Sequence, residues 1–165
     1  MATIRDAAEA DLPEIVKIYN ASIPDRKATA DTEPVSVESR CDWFAAHSPT
    51  HYPLLVVELK GEVIAWLSFR PFYGRPAYRS TAEVSIYVDP CYHRHGIGKF
   101  LLQQAIDRAR DVGFSTLVAF IFAHNTASLS LFEQFNFQEW GYLPRIAELD
   151  GVERDLIVLG LRLKF

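Results

Sequence analysis

The chain has 165 residues and a formal net charge of −4, with 49% of residues hydrophobic and 23% charged. That balance supplies the core of one domain and excludes an intrinsically disordered chain. A negative net charge makes nucleic acid a poor expectation as partner. The amino terminus, "MATIRDAAEADLPEI", lacks the apolar centre of a signal peptide, and no apolar run approaches the roughly 18 residues that span a membrane. Cys41 and Cys91 carry neither metal-ligand spacing nor a disulfide framework, so a cytoplasmic protein with ordinary thiols is expected.

In chain order, "ATIRDA" is a short strand candidate, followed by a helix over "DLPEIVKIYNAS" with Asp11 as N-cap and Pro13 in its first turn. Residues 21 to 35, polar and broken by prolines, read as an ordered loop. A second helix is expected over "SVESRCDWFAAH", opened by Ser36, with Ser39 and Arg40 turned to solvent. "YPLLVVEL" and "EVIAWLSFR" flank "KG" and predict a β-hairpin with Gly61 in the turn. "RPFYGRPAYRS" reads as a loop rich in arginine and aromatic residues.

"TAEVSIYV" is the next strand, and its alternation is informative. Ala82, Val84, Ile86 and Val88 share an apolar face, while Glu83, Ser85 and Tyr87 share the other. A helix follows Gly98, with Leu101, Leu102, Ala105, Ile106, Ala109 and Val112 on one side, and Gly113 stops it. "STLVAFIF" predicts a buried strand and "NTASLSLFEQF" a short helix capped by Asn125. "FQEWGYLPRIAEL" and "ERDLIVLGLRLKF" predict two strands joined at "DG". With no repeat and no linker, residues 1–165 read as a single domain of the α/β class. Antiparallel hairpins around one β-α-β crossover imply a mixed, largely antiparallel sheet flanked by helices.

The junction "HRHGIGK" lies between a strand end and a helix start. Helix N-termini leave N–H groups unpaired and carry partial positive charge. Gly96 and Gly98 let an anion such as a pyrophosphate approach, Arg94 and Lys99 add charge, and His93 and His95 offer donors. The spacing is neither a Walker motif nor a dinucleotide fingerprint. The five histidines have no carboxylates at ligand spacing, so no metal is expected. No nucleophile is partnered with a base, which disfavours a covalent acyl-enzyme.

"VDPCYHRHGIGKFLL" resembles the acetyl-coenzyme A signature of the GNAT acyltransferases, Q/R-x-x-G-x-G/A, with His93 at the first position. "HNTASLSLFEQFNF" is similar to the family's second signature, and Asn125 and Ser128 match positions lining the coenzyme. "ATADTEPVSVESR", "RPFYGRPAYRSTAEVSIYV" and "EWGYLPRIAELDGVERDL" resemble the phosphinothricin and methionine sulfone acetyltransferase subgroup. The resemblance implies acetyl-CoA as co-substrate, held by Ile86, Val88, His93, Arg94, His95, Gly96, Ile97, Gly98, Lys99, Asn125 and Ser128. It also implies Glu83 as general base and a homodimer with the 21–35 loop near its active site.

Spacing agrees with the resemblance. Glu83 stands five residues before Val88, roughly 16 Å along a strand at about 3.3 Å per residue, a span comparable to a pantetheine arm. Arginines in the preceding loop fit a carboxylate, phosphinate or sulfone through their planar fork. Arg75 is the first candidate and Arg70 the second, with Phe72 and Tyr73 as aromatic walls that could equally be core. The subgroup often carries histidine, and other members tyrosine, where this chain has Phe132. The thiolate then leaves unaided, or Tyr92, His124 or Tyr142 protonates it. The expected acceptor is the α-amine of a small amino-acid analogue. A polyamine, aminoglycoside or protein N-terminus is the alternative enzyme reading, and an acetyl-CoA-binding sensor without turnover is the reading outside catalysis.

Overall fold

Two tight hairpins and one crossover build the sheet. Lys60 and Gly61 both take positive φ (52° and 80°), as do Asp150 and Gly151 (54° and 77°). Two successive positive values match the twist of the strands they join. The computed structural model describes residues 1–163, so Lys164 and Phe165, at the end of the last expected strand, lie outside the described residues.

The elements are β1 (Thr3–Asp6), α1 (Leu12–Ala21), α2 (Cys41–Ala45), β2 (Leu54–Leu59), β3 (Glu62–Pro71), β4 (Thr81–Val88), α3 (Ile97–Val112), β5 (Thr116–Phe122), α4 (Thr126–Glu133), β6 (Gln138–Leu149) and β7 (Val152–Arg162). They form a seven-stranded sheet in the order β1-β2-β3-β4-β5-β7-β6. Among the described residues only β4 and β5 pair in parallel, across the α3 crossover, and every other pair is antiparallel. The mixed, largely antiparallel sheet expected from sequence is the one observed. Among the described residues, no helix is long and apolar enough to cross a membrane.

Strand alternation divides the core between the two faces of this sheet. Leu55, Val57, Leu67, Phe69, Ala82 and Val84 pack with Leu101, Leu102, Ala105 and Ala109 of α3. Leu54, Val56 and Trp66 pack with Ile15 and Ile18 of α1, and Trp43 and Phe44 of α2 lean on that cluster.

Three local expectations change. Asp11 stands just before α1 but does not cap it. Its carboxylate instead accepts from the Ala8 N–H at 2.7 Å and from the Arg5 guanidinium at 2.7 and 2.9 Å. These bonds, Arg5 foremost, hold its carboxyl below the usual range. The second helix is shorter than expected: Ser36 does open it, accepting from the Ser39 N–H at 3.1 Å, but Glu38–Arg40 forms a 3-10 turn before α2. β3 runs one residue past the expected "EVIAWLSFR", taking Pro71 from the loop, and Pro76–Tyr78 is a 3-10 turn.

Gly160 of β7 carries the ring of Trp140 from β6: a Cβ built there would lie 1.9 Å from the indole. Gly160→Ala must displace that ring, which is half exposed, so the cost falls at the low end of the roughly 1–3 kcal/mol of core overpacking. Urea unfolding should show a lowered midpoint with red-shifted tryptophan emission. An unchanged midpoint would show that the ring moves freely.

Candidate active site

The register of β3 on β4 sets three side-chain pairs on one face: Trp66 opposite Tyr87, Ser68 opposite Ser85, and Arg70 opposite Glu83. The ladder runs from aromatic to hydroxyl to charged. Trp66 and Tyr87 stack at 4.7 Å with planes 26° apart, and the Trp66 indole N–H donates to the Ile15 carbonyl at 3.0 Å. All six residues line a cavity of about 510 Å³.

β4 and β5 make this cavity by parting. They pair only from Thr81 to Glu83 against Thr116 to Val118, so beyond Glu83 their facing edges share no ladder. Val84 and Ile86 from one face and Ser85 and Tyr87 from the other line the same space, together with Ala119 to Phe122 of β5. The cavity therefore passes through the sheet at the split. A second cavity, of about 460 Å³, opens beside it and is lined by Arg70, Phe72, Tyr73, Glu83 and Phe120. Glu83 and Arg70 stand where the two meet.

Burial pushes the Glu83 carboxyl above its ordinary value, and the Arg70 charge opposes that shift without cancelling it. A half-buried carboxylate with a raised pKa at a junction of cavities is suited to accept a proton.

Residues 22–35 roof the cavity. Three successive carbonyls of this loop are held from below: His124 Nε2 donates to Arg26 at 2.7 Å, Asn125 Nδ2 to Lys27 at 3.2 Å, and the Tyr87 hydroxyl to Ala28 at 3.3 Å. Arg40, expected in solvent, instead faces inward. Its guanidinium binds Asp31 at 3.1 Å, lies 5.1 Å from the centre of the Tyr19 ring, and lines the cavity. The Tyr19 hydroxyl donates to the same Asp31 carboxylate.

The residues expected to hold a coenzyme fall into two groups. Ile86, Asn125 and Ser128 line the larger cavity. Asn125 caps α4 as expected, its Oδ1 accepting from the Ser128 N–H at 3.3 Å. Val88, His93, Arg94, His95, Gly96, Ile97, Gly98 and Lys99 line neither cavity and occupy the continuation of β4 into α3. Asp89 accepts from the Cys91 N–H at 2.9 Å, and His93 Nε2 donates to the Val88 carbonyl at 2.9 Å. Gly96 (φ 79°) precedes the helix with no side chain over its first turn, which leaves that N-terminus accessible to an anion. Gly98 also has a packing use: a Cβ there would lie 3.0 Å from Leu131, so it sets the approach of α3 to α4.

The candidate substrate residues are placed differently from one another. Arg70 lines both cavities and Arg75 neither. Phe72 and Tyr73 line the smaller one, and Tyr73 is 76% exposed, so it is not core. Phe132 is buried, packs edge-to-face on Phe137 at 5.0 Å and lines the larger cavity as an apolar wall. None of the three alternative proton donors lines either cavity: Tyr92 packs on His95, Tyr142 donates to Asp155, and His124 is stacked on Phe122. The sequence reading missed Tyr19, Arg40, Trp43, Trp66, Ser68 and Ser85 as lining residues. Three of these had a signal, since Trp66 and Ser68 share the period-two face of Arg70 in the hairpin and Ser85 shares that of Glu83.

The chain matches the family model described as acetyltransferase (GNAT) family over residues 12–137. It is 51% identical over 162 residues to YwnH of Bacillus subtilis, provisionally named a phosphinothricin acetyltransferase, covering 98% of this chain and 99% of that one. It is 38% identical over 166 residues to the L-methionine sulfoximine/L-methionine sulfone acetyltransferase of Pseudomonas paraeruginosa, covering 98% and 95%. The crystal structure of a GNAT superfamily phosphinothricin acetyltransferase from Sinorhizobium meliloti in complex with AcCoA superposes with a TM-score of 0.92 at 31% identity, covering 98% and 88%.

Arg70 depresses the Glu83 carboxyl, so removing its charge should raise that pKa further. If Glu83 works as the base, the acid limb of the kcat/KM profile, which reports the free enzyme, lies above the ordinary carboxylate value, and Arg70→Met moves it to higher pH. An acid limb that Arg70→Met leaves in place would exclude Glu83 as the titrating group.

Proposed function

This chain belongs to the acetyltransferase (GNAT) family, and from that premise we propose that it acetylates the α-amine of a small amino-acid analogue by direct transfer with both substrates bound. Phosphinothricin, methionine sulfone and methionine sulfoximine are the proposed acceptors, and the activities for which the relatives are named support that choice. The observation that carries the reading is Glu83, its carboxyl raised by burial, opposite Arg70 at the junction of two cavities.

Acetyl-CoA supplies the activated acyl group as a thioester. The chain's features fit such a molecule. Beyond Glu83 the inner edge of β4 has no strand neighbour, so its main-chain groups are available to an amide-bearing chain lying along it. Gly96, Ile97, Gly98 and Lys99 begin a helix whose free N–H groups favour a pyrophosphate. Ile86, Asn125 and Ser128 would line the arm between.

Glu83 takes a proton from the acceptor's ammonium group, and the electron pair stays on nitrogen. Arg70 and Arg40 hold the acceptor's acidic groups through their forks. The Arg70 charge beside the base disfavours a polyamine or aminoglycoside. Phe132 carries no proton to give, and the cavity tyrosines Tyr19 and Tyr87 spend theirs on Asp31 and the Ala28 carbonyl. Transfer therefore proceeds with the thiolate leaving without a side-chain acid. The proposal includes cytoplasmic residence, alongside the acyl donor.

The proposed assembly is a homodimer. β6 is an edge strand on which Trp140, Tyr142, Leu143 and Ile146 are each exposed, and Ile146 also lines the larger cavity. Large apolar side chains exposed along an unpaired strand edge suit an interface, and covering Ile146 would close one wall of the cavity. Light scattering should report a dimer, and Leu143→Glu with Ile146→Glu should yield a folded monomer. A monomeric wild type would remove this part of the proposal.

The decisive assay is thiol release from acetyl-CoA with methionine sulfone, phosphinothricin, spermidine or a short peptide. Turnover is expected on the first two, with Glu83→Gln reducing it about 10²–10⁴-fold. Turnover on spermidine or peptide alone would refute the acidic-acceptor reading. Acetyl-CoA binding without turnover on any amine would establish the sensor reading, which the apolar Phe132 position favours.

A further inference from the structure

His47, just past α2, has both ring nitrogens engaged. Its Nδ1 lies 2.9 Å from the Trp43 carbonyl and its Nε2 lies 2.7 Å from Ser68 Oγ. A carbonyl can only accept, so Nδ1 carries the ring hydrogen. Burial foremost, joined by the Arg70 charge and opposed by the backbone hydrogen bonds at Trp43 and Phe44, pushes the imidazole pKa below its ordinary value, which favours the neutral ring. Nε2 is then a bare acceptor, and the Ser68 hydroxyl hydrogen is committed to it.

Ser68 is 1% exposed yet lines the larger cavity, on the same face as the Arg70–Glu83 pair. What its oxygen can offer a ligand is lone pairs. A sulfone, phosphinate or carboxylate oxygen placed there would meet lone pair against lone pair. An N–H would find an acceptor.

We propose that His47 is a positioning residue that makes Ser68 an obligate hydrogen-bond acceptor, and that Ser68 receives an N–H of the acceptor's amino group. This rests on the acetyl-transfer reading and deepens it by fixing which end of a zwitterion goes where. The nitrogen lies against Ser68 and Glu83, and the acidic groups are left to Arg70 and Arg40. In the proton step one ammonium N–H bond breaks, the proton joins a Glu83 carboxylate oxygen, and the electron pair remains on nitrogen. Ser68 keeps a second N–H throughout, so the freed lone pair points away from it.

Three measurements on the full chain test this. Nitrogen-15 spectra of labelled wild-type protein should show His47 protonated at Nδ1 and unprotonated at Nε2. Ser68→Ala, with its fold checked by circular dichroism, should raise the KM for methionine sulfone about 10–100-fold, the range for losing a hydrogen bond to a charged group. Its KM for acetyl-CoA should stay unchanged. The inhibition constant of the desamino analogue, 4-(methylsulfonyl)butanoate, should also stay unchanged, because that molecule has no N–H to lose. His47→Phe should raise the methionine sulfone KM in the same selective way. A proton on Nε2, an unchanged methionine sulfone KM in Ser68→Ala, or a desamino constant that rises in step with it would overturn the proposal. A wild type inactive on every amine would instead refute the transfer reading itself.

Discussion

Parallel strands β4 and β5 share three residue pairs and then diverge, although each is firmly held on its other side. β3 pairs with β4 from Ala65 through Pro71, and β7 pairs with β5 from Thr116 through Phe122. Neither strand can swing back to close the gap without breaking its own antiparallel ladder. Buried main-chain groups need partners, so the gap persists as a place where another extended chain can pair. The through-sheet cavity, the placing of Glu83 at its edge and the junction with the second cavity all follow from where that pairing stops.

The roof depends on the same split. Loop residues 22–35 are fastened by polar contacts more than by apolar burial, and Ile23 is the buried hydrophobic residue among them. The carbonyls of Arg26, Lys27 and Ala28 reach His124, Asn125 and Tyr87, which belong to the far end of β5, the start of α4 and the freed part of β4. Each anchor lies beside the opening between the diverged strands. Asn125 thus has two roles, capping α4 with its oxygen and holding the roof with its nitrogen. A ligand contacting Asn125 would be coupled to the loop through a single side chain.

What could be read from sequence was what local periodicity encodes. Alternation in "TAEVSIYV" placed Glu83 opposite an apolar face, the "KG" and "DG" turns gave the hairpins, and Asn125 announced the start of α4. Arg40 shows where that logic ends. Its helical neighbours gave no reason to turn it inward; Asp31 and the Tyr19 ring, distant in sequence, do so. Arg70 and Arg75 are similar in composition and spacing, and only the register that sets Arg70 opposite Glu83 separates them. At Gly98 the signature's pattern was legible in sequence, while the approach of Leu131 that also requires a glycine there was not.

Phe132 makes sense in terms of that packing. It is 5% exposed and sits edge-to-face on Phe137, against a core that includes Leu101 and Ala105 of α3. A hydroxyl or imidazole at this depth would need its own partner or cost roughly 1–3 kcal/mol unsatisfied, so an apolar ring gives the cavity a wall and the core a closed surface. The chemistry permits the exchange. An alkyl thiol ionises near pH 8.5, roughly, which makes thiolate a far better leaving group than an alkoxide or amide anion. The demanding proton transfer in such a reaction is removal of the first proton from the amine. The polar machinery of this site is concentrated accordingly on the Glu83 side of the cavity, where Arg70, Ser68 and Ser85 share one face of the sheet.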